Sequence, residues 1–212
     1  MMHIHVTNHT DGTKMEGIQS ISTSVLLNPI CQKRRLQKGS VCEKCFAEKL
    51  LSFRKNLDAY LEDNYNVLNN HLLTEIEAAR VQITSILGRI ESFGDVASVM
   101  QARNYLRIIV ANPDVNFGIW SKNLGIWIAA FHLEGKPNNC TFVLSSPNLN
   151  EIMEVPEWAK EYVDHVFTVW DKKVYDAMFK GDSVTECAGI RCMACRKCYK
   201  KGTSFYINER LR

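Results

Sequence analysis

The strongest constraint on this chain is a succession of short apolar segments, each closed by a turn and followed by a helical pattern. Residues 17–25, 87–92, 115–120, 140–145, 165–170 and 204–208 read as six strands, punctuated by signals such as Phe93-Gly94-Asp95 and Asn112-Pro113-Asp114. Between them the apolar spacing predicts helices over 43–64, with a break near 65–70, and over 72–87, 96–111, 124–133, 156–163 and 172–179. Strands alternating with helices call for a parallel sheet covered by helices. The expected fold class is therefore α/β, a single-domain partial (β/α)6 barrel-like parallel sheet with a cysteine-rich C-terminal tail, with a doubly wound sheet as the competing topology. A length of 212 residues, 46% of them hydrophobic, suits one core. No linker or repeat divides residues 1–212, and the cysteine loop (28–47) and cysteine tail (187–201) fall within that one unit.

In either topology chemistry gathers at the carboxyl ends of the strands, and seven of the eight cysteines fall in two groups suited to metal. Cys31, Cys42 and Cys45 follow the first strand. Cys187, Cys192, Cys195 and Cys198 occupy the tail, the last three at two-residue gaps that suit a cubane in the ferredoxin manner. The tail group alone can saturate a four-iron cluster, whereas the three thiols of the first leave one iron open. One or two [4Fe-4S] clusters are expected. Zinc is the alternative metal, with Cys42, Cys45 and two tail cysteines forming one tetrahedron. Cys140, inside a strand pattern, reads as a packing residue.

The first residues lack the basic start and apolar run of a secretory signal, and no stretch is long and apolar enough for a membrane span. A reducing cytoplasm is the expected location, that of the host cell if the chain is phage-encoded, and there spaced cysteines bind metal more often than each other. The net charge of +3 is too mild to announce a nucleic-acid protein. Basic residues do crowd both groups: Lys33, Arg34, Arg35 and Lys38, then Arg191, Arg196, Lys197, Lys200, Lys201, Arg210 and Arg212. They can balance anionic thiolate clusters, grip phosphates around a zinc knuckle, or stand as solvated charge. The alternative function is thus a zinc-binding module that interacts with nucleic acid without catalysis.

The remaining candidates stand at strand ends. Glu91 and Asp95 offer carboxylates, Ser92 and Gly94 complete their turn, and Trp120, Lys122 and Ser145 end the third and fourth strands. If the chain is an enzyme, Glu91, Asp95 and Lys122 are its catalytic candidates, and Ser92, Gly94, Trp120 and Ser145 line the cofactor. Capping of the following helix competes for Asp95. The six histidines form no HExxH pattern, and no GxGxxG, phosphate loop or GxSxG occurs.

SISTS, the loop ending CEKCFAEK, RIESFGD, ANPDVNFGIWSKN and the cysteine-rich tail together resemble the gene product 88 family of bacteriophages and some bacteria. The resemblance places Cys31, Cys42, Cys45, Gly94, Asp95, Asn112, Pro113 and Asp114 on the family's motifs and implies no defined activity. A more distant likeness is to radical S-adenosylmethionine enzymes, which hold a three-cysteine cluster after strand one of a six-unit partial barrel. That likeness implies S-adenosylmethionine as a cofactor and redox or radical chemistry. The spacing departs from theirs: ten residues separate Cys31 from Cys42, Phe46 follows Cys45 rather than an aromatic preceding it, and the turn at 93–95 holds one glycine.

Overall fold

Seven strands form one sheet in the order of the chain. The computed structural model describes residues 3–10, 12–179, 186–187 and 189–211; Arg212 and position 188 of the cysteine tail lie outside them. β1 (Thr7–Asn8) pairs antiparallel with β2 (Gln19–Ile21). β2, β3 (Leu87–Ile90), β4 (Asn116–Ser121), β5 (Cys140–Ser145), β6 (His165–Trp170) and β7 (Tyr206–Arg210) are parallel, each beside the next. The order never reverses, so this is not the doubly wound alternative. Right-handed crossovers that always step the same way put their helices on one face.

The chain from β2 to β3 carries α1 (Pro29–Arg35), α2 (Phe46–Phe53), α3 (Lys55–Asn70) and α4 (Glu75–Ala79). α5 (Val99–Ala111) links β3 to β4, and α6 (Leu124–Glu134) links β4 to β5. A 3-10 turn (Glu157–Ala159) lies between β5 and β6. α7 (Lys172–Met178) and the short α8 (Cys192–Cys195) lie between β6 and β7. Alternate strand residues point to opposite faces. Ile21, Ile90, Phe117, Ile119, Phe142, Leu144 and Val166 enter the main core with Tyr105 and Ile109 of α5 and Trp127 and Phe131 of α6.

Local chemistry moves several boundaries away from the sequence expectation. The helix expected from 43 starts at Phe46 and breaks at Arg54, whose backbone leaves the helical region, instead of near 65–70. Only Glu75–Ala79 is helical within 72–87, fixed by a capping box between Thr74 and Glu77. The polar loop after β2 contains α1, capped by the Asn28 side chain with Pro29 in its first turn. Ser98, rather than Asp95, caps α5. The helix expected over 156–163 is only the 3-10 turn, and the last strand runs two residues beyond the expected 208.

The second face of the sheet is covered by the tail instead of by helices. Ser20, Arg89, Gly118 and Thr141 stand in one row across β2 to β5. A Cβ on Gly118 would lie 2.4 Å from the Trp120 ring and 2.9 Å from the Tyr199 ring, so the missing side chain is what admits both aromatics. The Thr141 hydroxyl donates to the Cys198 carbonyl at 2.5 Å, and both ring nitrogens of buried His165 meet tail carbonyls, those of Ser204 and Lys200. Ile18, Leu87 and Tyr199 form a small core there with Trp120, Cys192, Met193 and Cys198 packed on it.

Candidate metal centre

Asn28 brings the first cysteine group to the carboxyl end of β2. Its side-chain oxygen accepts from the backbone amides of Ile30 and Cys31, starting α1, while its amide donates to the Asp95 carbonyl at 2.5 Å. Cys45 precedes α2, and Cys31 and Cys45 pack against Val25, Ala47, Leu51 and Leu61 beside Phe93. Burial pushes the Cys31 thiol well above its ordinary range, and the charges of Asp95, Glu91, Cys42 and Cys45 push it further. The three thiols are thus within electrostatic reach of one another. Cys45 is raised by burial but is opposed by a backbone hydrogen bond and by Lys122 and Arg35.

The two rim carboxylates are engaged internally. Glu91, at φ 56° and buried, accepts from the Thr23 amide and hydroxyl, from Gln101 Nε2 and from the Tyr105 hydroxyl at 2.6 Å. Desolvation raises its pKa to about 7 against the pull of those donors. Asp95 accepts from the Ser121 hydroxyl at 2.5 Å, the Lys122 amide at 2.9 Å and Arg34 Nη1 at 3.0 Å. These bonds tie the end of β3 to α1 and to the end of β4. A Cβ on Gly94 would stand 2.9 Å from a Glu91 carboxylate oxygen, so that glycine serves close packing at the turn.

Ser92 joins a hydroxyl chain with Ser20 and Ser22 on the inner face, and His9 Nε2 lies 3.0 Å from Ser20 Oγ. The sequence left His9 in a polar leader; β1 brings it back beside β2. Trp120 lies beneath the Arg89 guanidinium, 3.4 Å from its ring centroid. Lys122 contributes its backbone amide to Asp95 and its carbonyl to Arg34. Ser145 is buried at the end of β5. The seven non-cysteine candidates therefore divide between the bonded β3–β4 rim and the inner face, with Ser145 two strands from β3.

The tail cysteines meet the opposite end of β2. The Cys192 amide donates to the Lys14 carbonyl, and Met193 packs on Gly17, both just before that strand. Cys187 Sγ lies 2.8 Å from Lys14 Nζ, which also pairs with Glu209 at 2.6 Å. Burial is the first cause raising Cys198, to about 12, and Arg89 pulls it and Cys192 down. The expectation that both groups sit at the carboxyl ends is thus met by the first alone, because the tail crosses beneath the amino half of the strands. A zinc tetrahedron shared between loop and tail does not form across that separation. Among the described residues, no three His, Cys, Asp or Glu side chains are arranged to hold a metal ion.

Cys140 is buried, with its thiol 3.3 Å from the Pro137 carbonyl. Much of the basic ring is engaged internally: Arg34 with Asp95, Arg35 with Glu48, Arg191 with Glu16, Arg210 with Asp176, and Arg196 with the Met193 carbonyl. No helix among the described residues is long and apolar enough to cross a membrane.

These features define an α/β protein with a sequentially wound, mostly parallel sheet and a cysteine group at either end of its second strand. The gene product 88 family model matches residues 6–201, and the chain belongs to that family. Comparison with curated proteins and with solved structures gave no match.

Proposed function

We propose that this chain is an iron-sulfur protein in which Cys31, Cys42 and Cys45 hold one four-iron cluster and the tail cysteines a second. The observation that carries this reading is the gathering of three thiols, separated by ten residues in sequence, at the carboxyl end of β2. In a four-iron cluster each ligating sulfur serves a different iron, so its ligands stand farther apart than those of a single zinc ion. Three cysteines leave one iron for an exogenous ligand, and such a centre supplies electrons to what binds there. Glu91 and Asp95 would then position the loops around that opening. S-adenosylmethionine is the cofactor this reading assigns to the open iron, and a changed electron paramagnetic resonance signal on adding it tests that extension.

A partial barrel belongs to the same proposal. Six parallel strands laid flat span about 24 Å at the usual spacing of about 4.8 Å. Lys14, just before β2, nevertheless pairs with Glu209 on β7, at the far edge of the parallel set. One lysine side chain cannot cross that width, so the ion pair supports a curled sheet with the tail filling its inner face.

The test is iron and acid-labile sulfide per chain, after anaerobic reconstitution, for two variants. Replacing Cys31, Cys42 and Cys45 by Ala should remove one cluster and leave the other, and replacing Cys192, Cys195 and Cys198 should do the reverse. Iron content that neither set alters would overturn the assignment.

A further inference from the structure

Arg89 is a cation without a carboxylate. It projects from β3 into the inner row Ser20, Arg89, Gly118, Thr141, and its Nε is buried with no hydrogen-bond partner. No Asp or Glu among the described residues forms an ion pair with it. Every other arginine turned into the structure here has a plain counterpart, as Arg34 has Asp95 and Arg103 and Arg107 have Glu134. A guanidinium taken out of water costs several kcal/mol unless an opposite charge repays it. The Trp120 face supplies part of that, worth about 0.5 to 2 kcal/mol, and it also fixes where the charge points.

What lies around this charge is the tail. Gly118, the next residue of the row, is the gap into which Tyr199 fits, and Tyr199 follows Cys198 directly. Cys192 and Cys198 both pack on this small core and both feel the Arg89 charge. His9 also feels it, and is turned toward its neutral form by burial and then by Arg89, so it offers no competing anion. Lys14 stands on the other side of the group, but its charge is shared with Glu209. Arg89 is the unshared one.

We infer that Arg89 is the built-in counter-cation of an anionic metal-thiolate centre held by Cys187, Cys192, Cys195 and Cys198. This deepens the iron-sulfur reading and rests on it. A four-iron cluster with four thiolates is an anion and gains a further negative charge when it accepts one electron, with no bond made or broken. A cation fixed beside it favours the reduced state, so Arg89 raises the midpoint potential of the tail centre. Arg89 is a positioning and tuning residue here, without contact to substrate.

The test is a dithionite titration of the reconstituted full chain, followed by electron paramagnetic resonance, on a background where Cys31, Cys42 and Cys45 are Ala so that only the tail centre reports. Arg89→Gln should move its midpoint to more negative potential, while Arg89→Lys, which keeps the charge, should restore most of the shift. A midpoint unmoved by Arg89→Gln, with iron and sulfide retained, would overturn the inference and leave the cluster reading standing. Absence of iron and sulfide in both the background and the native chain would instead remove both. If Arg89→Gln unfolds the chain, Trp120→Leu, which frees the guanidinium from its ring, must shift the same midpoint, and no shift there overturns the inference.

Discussion

Two carboxylates illustrate how little a residue's type says about its work. Glu91 and Asp95 were legible as polar groups at a strand end, and both are at the rim, yet each is fully occupied. The sequence carries no sign of their partners, because Thr23, Gln101, Tyr105, Ser121 and Arg34 come from distant segments. Replacing Asp95 by Ala leaves Arg34 unpaired at a half-buried site and should cost about 3 kcal/mol of stability in urea unfolding. Glu91 should make stability depend on pH. With its folded pKa raised to about 7 from an ordinary 4.5, the fold binds more protons than the unfolded chain between those values. Its contribution is full below that window and is lost as pH rises through about 7. Glu91→Gln should therefore flatten the fall in urea midpoint between about pH 5 and about pH 8; parallel profiles for the two proteins would show that Glu91 does not titrate there.

Among the elements, those with long apolar patterns were legible and those set by a single cap were not. α5, α6 and β3 to β6 lie within a few residues of their expected bounds, because each buries one apolar face against the next. α1 escaped the sequence reading: seven residues with none buried give no amphipathic signal, and only Asn28 and Pro29 mark its start. That cap has a functional consequence, since α1 carries Cys31. Asn28→Ala should cost about 1 to 2 kcal/mol through the lost cap and should reduce iron in the first group while the tail group keeps its own. Gly118 makes the matching case on the inner face. Gly118→Ala forces a Cβ into Trp120 and Tyr199 and should cost about 1 to 3 kcal/mol, read as a lower Tm together with a loosened tail; an unchanged Tm would mean that the tail does not depend on that gap.

At the scale of the whole molecule, the alternation of strands and helices announced a parallel sheet, and the ladder pairings supply one wound in a single direction. The place of the tail could not be read beforehand. Its cysteines and basic residues look alike whether they extend the carboxyl rim or cross beneath the strands; what decides is a glycine on β4, a threonine on β5 and a histidine on β6 that receive it. The same placement separates the two cysteine groups, which sequence spacing alone left free to share one metal. The account stands on those groups being loaded independently with iron and sulfide. The most direct measurement is the visible absorption of the anaerobically purified chain, with iron, sulfide and zinc counted per molecule. A broad band at about 400 nm with about eight irons and matching sulfide is the predicted result, and a colourless protein that carries zinc and no sulfide would contradict it.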